Sequence, residues 1–157
     1  MPESEPACDQ LRSDHRHIEQ CLDALLAALL DLTTERIAGI QATVREIQNL
    51  SALHFAKEEQ IFYPKLKPIA AELLASLDVQ HEEVRELERH VAGLLAEPPS
   101  APDTRWLNEL RALGIEFHDR IQHHIVDEED HLFRLAGDWL SGEDQEKLAR
   151  AMDAVRP

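Results

Sequence analysis

Residues 54–59 read His-Phe-Ala-Lys-Glu-Glu, and residues 124–129 read His-Ile-Val-Asp-Glu-Glu. In each stretch a histidine stands four residues before a glutamate, and residues four apart lie on the same face of a helix. One such pair is common on a solvated helix surface. Two copies in one chain, each followed by an apolar and aromatic segment, indicate a repeated site in which imidazole and carboxylate groups act together.

Both copies lie on apolar stripes with the period of an α-helix. Along four segments of the chain, apolar residues recur at steps of three and four, which is the pattern of helices with one buried face. The four predicted helices cover 9–32, the segment from a Thr33 or Thr34 cap to the helix breakers Pro64 and Pro68, a segment within 70–96, and a segment starting near Asp103. The linker 97–102, which contains three prolines, separates the last two.

The sequence therefore predicts an all-α fold, an antiparallel up-down-up-down four-helix bundle with a short extra C-terminal helix. Residues 1–8 are assigned to a disordered N-terminus, 9–136 to the bundle, and 137–157 to the short helix and tail. The short helix is expected from Glu143 to Met152, because Ser141 and Asp144 have the spacing of a capping box.

In this topology the starts of the first and third helices lie at the same end of the bundle as the ends of the second and fourth. Six residues on the inward stripes fall at that level: His15, His54, Glu58, His81, His124 and Glu128. Buried histidine and glutamate side chains are costly unless they are satisfied, and a metal site satisfies all six at once. The neighbouring pair His123 and Asp127 lies about 100° off the stripe, so we assign His124 and Glu128 instead.

The types of candidate ligand restrict which metal ions could bind. The two cysteines, Cys8 and Cys21, have no metal-binding spacing, which argues against structural zinc. Imidazole and carboxylate ligands together suit iron, manganese or zinc. Four imidazoles and two carboxylates able to bridge suit a pair of ions better than one.

Other polar residues are expected to have smaller roles. The four histidines off the stripes are predicted to lie at the surface or its boundary: His17, His90, His118 and His123. His131 is a candidate outer partner or additional ligand. Ser51, one turn before His54, either leaves room for a small ligand or bonds its own helix backbone.

Charge and composition restrict the class of protein. The formal net charge of −15 argues against nucleic acid and anionic membrane surfaces as partners. The longest apolar run, Ala24 to Leu30, is too short to cross a bilayer, so no membrane is expected. With two cysteines in no disulfide framework and a polar, acidic start unlike a signal peptide, we expect a cytoplasmic protein. No protein partner is indicated.

The combined pattern resembles the hemerythrin-like (HHE cation-binding) domains over residues 10–136. It consists of Asp14-His15, His54-x-x-x-Glu58-Glu59, Gln80-His81 and His124-x-x-x-Glu128-Glu129. The resemblance implies a non-haem centre of two iron ions, bridged by oxide or hydroxide, inside a four-helix bundle. It implies that the six residues named above are the ligands, with Glu58 and Glu128 bridging.

One departure from the oxygen carriers of that family narrows the resemblance. By this resemblance, the oxygen carriers have the pattern His-x-x-x-His on the third helix. In this chain the residue four positions after His81 is Arg85. Arg85 is expected to turn outward and pair with Glu82 or Glu88. The chain is similar to the four-His, two-Glu branch, which includes di-iron proteins linked to repair of iron–sulfur centres.

Three functions follow as hypotheses. The first is a di-iron protein that binds or senses oxygen, nitric oxide, peroxide or iron. The second is an enzyme or repair protein that breaks down peroxide or delivers iron to damaged iron–sulfur centres. The third is a helical interaction module with a structural metal.

Overall fold

The computed structural model describes residues 4–157. The helices of this part are α1 Pro6–Leu30, α2 Ile37–Lys57, α3 Tyr63–Ala96, α4 Thr104–Asp127, α5 Phe133–Trp139 and α6 Gly142–Asp153. Helix α1 packs against α2 and α4, and α3 packs against the same two helices. The predicted all-α bundle with a short C-terminal helix is confirmed. None of these helices combines the length and apolarity needed to span a membrane.

The first helix begins earlier than the sequence predicted. It starts at Pro6, and both Ala7 and Cys8 are fully buried, so disorder through residue 8 is wrong for the described residues; 1–3 lie outside them. Proline is well suited to the first turn of a helix, where its missing N–H is not needed. The side chain of Gln145 in α6 accepts hydrogen bonds from the N–H groups of Ala7 and Cys8. A contact so distant in sequence explains why the early start was not predicted.

The joint between α2 and α3 also differs from the prediction. Pro64 does not end the second helix, because it lies in the first turn of α3 and the helical path continues through it. The break comes at Ala70, with φ −140° and ψ 29°, two residues after Pro68. Around Ser76, α3 is continuously helical.

Two five-residue π-helical turns interrupt the bundle at matching places. One covers Glu58–Phe62 between α2 and α3, and the other covers Glu128–Leu132 between α4 and α5. Each begins at the glutamate of the repeated motif. Helices often widen into such turns at functional sites.

Helices α4 and α6 begin where the sequence predicted, and in each a side chain caps the first turn. Asp103 accepts a hydrogen bond from the N–H of Trp106 at the start of α4, and Ser141 accepts one from the N–H of Asp144 at the start of α6. Both are ordinary N-cap contacts.

The core consists of two apolar clusters with a polar layer between them. Along α1, Leu11 belongs to one cluster and Ile18 to the other, with buried His15 between them. Along α3, Leu77 and Val84 flank His81 in the same way. The bundle therefore encloses its buried polar residues in apolar surroundings.

Candidate metal centre

The six residues predicted from the sequence come together in this polar layer. They form two groups, His15, His54, Glu58 and Glu128 in one, and Glu58, His81, His124 and Glu128 in the other. In each group one ligand atom from each residue lies within 4.8 Å of the others. No side chain of the six is more than 1% exposed. We call the first group the His15 half and the second the His81 half.

The two glutamates are oriented alike. Glu58 places Oε1 2.7 Å from Nε2 of His54 and Oε2 3.0 Å from Nε2 of His81. Glu128 places Oε1 3.3 Å from Nε2 of His15 and Oε2 3.4 Å from Nε2 of His124. Each carboxylate thus presents one oxygen to each half, which is the arrangement needed to bridge two cations.

Several buried atoms of this layer lack the partners that a metal would supply. Neither Oε1 of Glu58 nor Oε1 of Glu128 accepts a hydrogen bond, although buried polar atoms nearly always have a partner. The Nε2 atoms of His15 and His54 lie 3.0 Å apart, and those of His81 and His124 lie 3.1 Å apart. Imidazole nitrogens and carboxylate oxygens converging in this way form a donor set that fits a divalent cation.

The outward nitrogen of each histidine faces a residue adjacent to a ligand in the sequence. Nδ1 of His54 lies 3.2 Å from Asp14, and Nδ1 of His124 lies 2.8 Å from Gln80. Nδ1 of His81 lies 2.8 Å from Glu59. Such partners fix the tautomer and direct Nε2 toward a metal.

His15 is the partial exception: its Nδ1 faces Glu129 at 3.3 Å but forms no hydrogen bond with it. These outer partners were not predicted from the sequence. The repeated Asp-His, Gln-His and Glu-Glu neighbours in the motifs are the signal that could have identified them.

Electrostatics of the metal-free centre favour positive charge on the histidines. Burial opposes protonation of His54, but the charge of Glu58 and the hydrogen bond to Asp14 outweigh it and raise the pKa of His54 to about 10. For His124, burial is likewise outweighed, chiefly by the charge of Glu128, and its pKa rises to about 9. Protons thus replace part of the positive charge that a metal would bring, and metal binding must release them.

The pKa of Glu58 shifts in the opposite direction. Burial alone would raise the pKa of Glu58, but the facing charge of His54 and several hydrogen bonds hold it well below its ordinary value. Glu58 is therefore ionised and available as a ligand at neutral pH.

Tyr63 is a member of the centre that sequence reasoning missed. Its hydroxyl donates a 2.5 Å hydrogen bond to Oε2 of Glu128 and lies 3.3 Å from Nε2 of His81. A regular helical period continued from His54 and Glu58 places Ile61 inward, but Ile61 is only half-buried. The π-helical turn before Tyr63 shifts the register, and a regular 3.6-residue period does not show such a shift.

Residues predicted to lie away from the centre do so. His17, His90 and His123 are exposed and His118 is half-buried, as expected. His131 is exposed and takes no part in the two groups. Arg85 pairs with Glu82, as predicted, and also with Glu59, each at 2.7 Å.

Ser51 departs from the expected backbone bond. It is 1% exposed and its hydroxyl oxygen has no hydrogen-bond partner.

Comparison with known proteins assigns the family. No curated protein matches the chain. The profile of the hemerythrin HHE cation binding domain matches residues 7–136, which is most of the chain and includes all six clustered residues. The helical bundle and its buried His and Glu cluster, which is capable of binding metal, agree with this match. The chain belongs to the hemerythrin family of HHE cation-binding domains.

Proposed function

We propose that the protein is a non-haem di-iron protein that binds or senses a small ligand (oxygen, nitric oxide or peroxide) or iron itself. One iron ion would be held by the His15 half and one by the His81 half, with Glu58 and Glu128 shared. The observation that carries the proposal is the orientation of these two glutamates, each with one oxygen toward each histidine pair. Iron is chosen among the metals that suit this donor set because of the family resemblance.

When bound, iron would supply exchangeable coordination positions and a change of oxidation state. The chain's own residues prepare that chemistry. Asp14, Glu59 and Gln80 hold the imidazoles in one orientation, and the apolar clusters on both sides limit access of water. Tyr63 holds a proton at its hydroxyl beside the His81 half, since burial and the charge of Glu128 keep its pKa well above the ordinary value.

The test is anaerobic reconstitution with ferrous iron followed by elemental analysis. We expect two iron ions per chain. One zinc ion per chain in protein purified without chelators, or no metal after reconstitution, would contradict the proposal. Optical spectra after adding oxygen, peroxide and nitric oxide in turn would then identify the ligand class.

The residue at position 85, an arginine, determines how we expect the reduced protein to react with oxygen. It occupies the position of an imidazole in the oxygen carriers, and a guanidinium has no lone pair to offer a cation. We therefore expect the reduced protein to be oxidised in air within minutes, without a long-lived oxygenated spectrum. A stable form that releases oxygen under vacuum would show reversible oxygen carriage instead.

A second candidate function is an enzyme or repair protein, acting in peroxide breakdown or in iron delivery to damaged iron–sulfur centres. It is favoured by the Tyr63 hydroxyl, which lies 3.3 Å from Nε2 of His81 and could turn its hydrogen bond from Glu128 to a ligand there. Peroxide consumption by the iron-loaded protein, compared with the Tyr63→Phe variant, tests this candidate. Equal rates in the two proteins would remove the support that Tyr63 gives it.

A further inference from the structure

A groove of about 610 Å³ opens on the surface beside the His81 half. Its lining includes Glu59, Tyr63, Lys67, Ala75, Asp78 and Arg85. We call it the lateral groove. Its volume lies within the range of about 300–1,000 Å³ found for small-molecule sites.

Tyr63 connects the groove with the centre. Its ring forms part of the groove wall, while its hydroxyl contacts Glu128 and lies near Nε2 of His81. The side chain is only 4% exposed. A molecule in the lateral groove is therefore separated from the His81 half by the ring of Tyr63.

The corresponding place beside the His15 half is filled. Phe133 takes the position of Tyr63 in the repeat, and it stacks on His15 as Tyr63 stacks on His81. The guanidinium of Arg12 lies 5.3 Å from the centre of the Phe133 ring. Arg12 also pairs with Glu5 at 3.1 Å and with Asp9 at 2.9 Å.

Glu5 also occupies space beside the His15 half. Its carboxylate lies against Gly137, so that a Cβ at position 137 would have to displace the Glu5 side chain. The first turns of α1 thus cover Phe133, whereas the matching part of α3, around Ala75 and Asp78, leaves Tyr63 beside an open groove. The two halves share a ligand pattern but differ in their contact with the surface.

The charges of the groove suit a small polar molecule. In a chain of net charge −15, the groove lining carries two cations, Lys67 and Arg85, and three carboxylates, Glu59, Asp78 and Glu82. Arg85 is paired with Glu59 and Glu82, but among residues 4–157 Lys67 forms no ion pair and neither does Asp78. The free charges of Lys67 and Asp78 therefore balance, which leaves the groove less repulsive to a neutral or singly negative small molecule than the acidic surface around it.

We propose that small ligands reach the centre from one side, through the lateral groove, and meet the His81 half. The ligand class is a neutral or singly negative oxygen or nitrogen donor of the size of peroxide or azide, because it must pass the buried ring of Tyr63. This inference rests on the proposed function, since it requires metal ions in the two groups.

The experiment measures azide binding to the iron-loaded, oxidised full-length protein by stopped-flow absorbance. Ala75→Trp places a large side chain in the lateral groove. Ser76→Trp adds the same bulk at the next residue, which faces a different part of the surface. Both positions are exposed, so neither substitution disturbs the core.

We expect the association rate constant for azide to fall about tenfold or more in Ala75→Trp and to change by less than about twofold in Ser76→Trp, because a blocked approach lowers the on-rate. Iron content should equal that of the unaltered protein in both. Should Ala75→Trp lose helical circular dichroism, Ala71→Trp, at another exposed groove position, replaces it with the same expectation.

Three outcomes overturn the inference. Full iron content with an unchanged azide rate in the groove variant would show that ligands take another path. Equal slowing in both variants would show that the groove is not the specific route. Absence of iron from all three proteins would overturn the proposed function, and this inference with it.

Discussion

The His15 half and the His81 half of the centre arise from one sequence repeat, yet they are not equivalent. The ligands match in type and distance, with facing imidazole nitrogens 3.0 Å apart in one half and 3.1 Å apart in the other. The surroundings differ: Phe133 in one half corresponds to Tyr63 in the other, and Asp14 corresponds to Gln80. The repeat thus supplies the arrangement of histidines and glutamates, and the residues around it make the two halves unequal.

The largest expected effect comes from removing a residue that both halves share. Glu128→Ala should abolish most metal binding, because Glu128 belongs to both groups. His15→Ala should remove the ion of one half and leave the other, because His15 belongs to one group only. Elemental analysis after iron reconstitution measures both. If the two variants lose the same amount of iron, the halves do not bind independently.

Within the His81 half, adjacent histidines provide the next comparison. His124 is 1% exposed and His123, whose side chain is 68% exposed, pairs with Asp127. His124→Ala should lower metal content and cost about 3–5 kcal/mol of unfolding free energy, as breaking a buried charge pair does. His123→Ala should cost less than about 1 kcal/mol. Urea denaturation with metal analysis checks both, and similar behaviour of the two variants would contradict the assignment of His124.

Tyr63→Phe makes the two halves more alike. Glu128 loses a buried hydrogen-bond donor, so the metal-free protein should lose about 1–3 kcal/mol of unfolding free energy. Phe133→Leu is the control, because it changes the corresponding aromatic residue without removing a hydroxyl. Thermal unfolding of both metal-free variants is the measurement. An iron-loaded Tyr63→Phe protein with an unaltered visible spectrum would indicate that the hydroxyl has no influence on the centre.

The smallest expected effect concerns the outer partners and pH. In the metal-free protein the pKa values of His54 and His124 are raised to about 10 and about 9, above the unfolded value of about 6.5. Their contribution to stability is therefore complete below about pH 6.5 and is lost as the pH rises through the folded pKa values. Unfolding free energy should fall over this range.

Asp14→Asn should reduce that pH dependence, because it gives His54 an uncharged partner, as Gln80 is for His124. NMR titration of the metal-free protein would show the pKa of His54 moving down toward that of His124. An increase of stability between pH 6.5 and pH 10 would have the wrong sign for this explanation.

The sequence was sufficient for the bundle and for bringing the six clustered residues to one level, because both depend on the helical period. It was not sufficient for Tyr63, since a single π-helical turn after Glu58 changes which residue faces inward. The early start of α1 could not be predicted either, because it depends on Gln145, far along the chain. Local periodicity determines faces, whereas shifts of register and distant hydrogen bonds depend on the folded structure.

The hydrogen bonds of Gln145 have a consequence for how the molecule unfolds. Its buried side chain joins α6 to the first turn of α1, and Leu148 and Met152 of α6 belong to the same apolar cluster as Leu11. The family match stops at residue 136, but the packed core continues into α6. Fraying of α6 would therefore release the first turns of α1 and loosen the segment that leads to His15. Metal retention in the His15 half would then depend on an intact C-terminal segment.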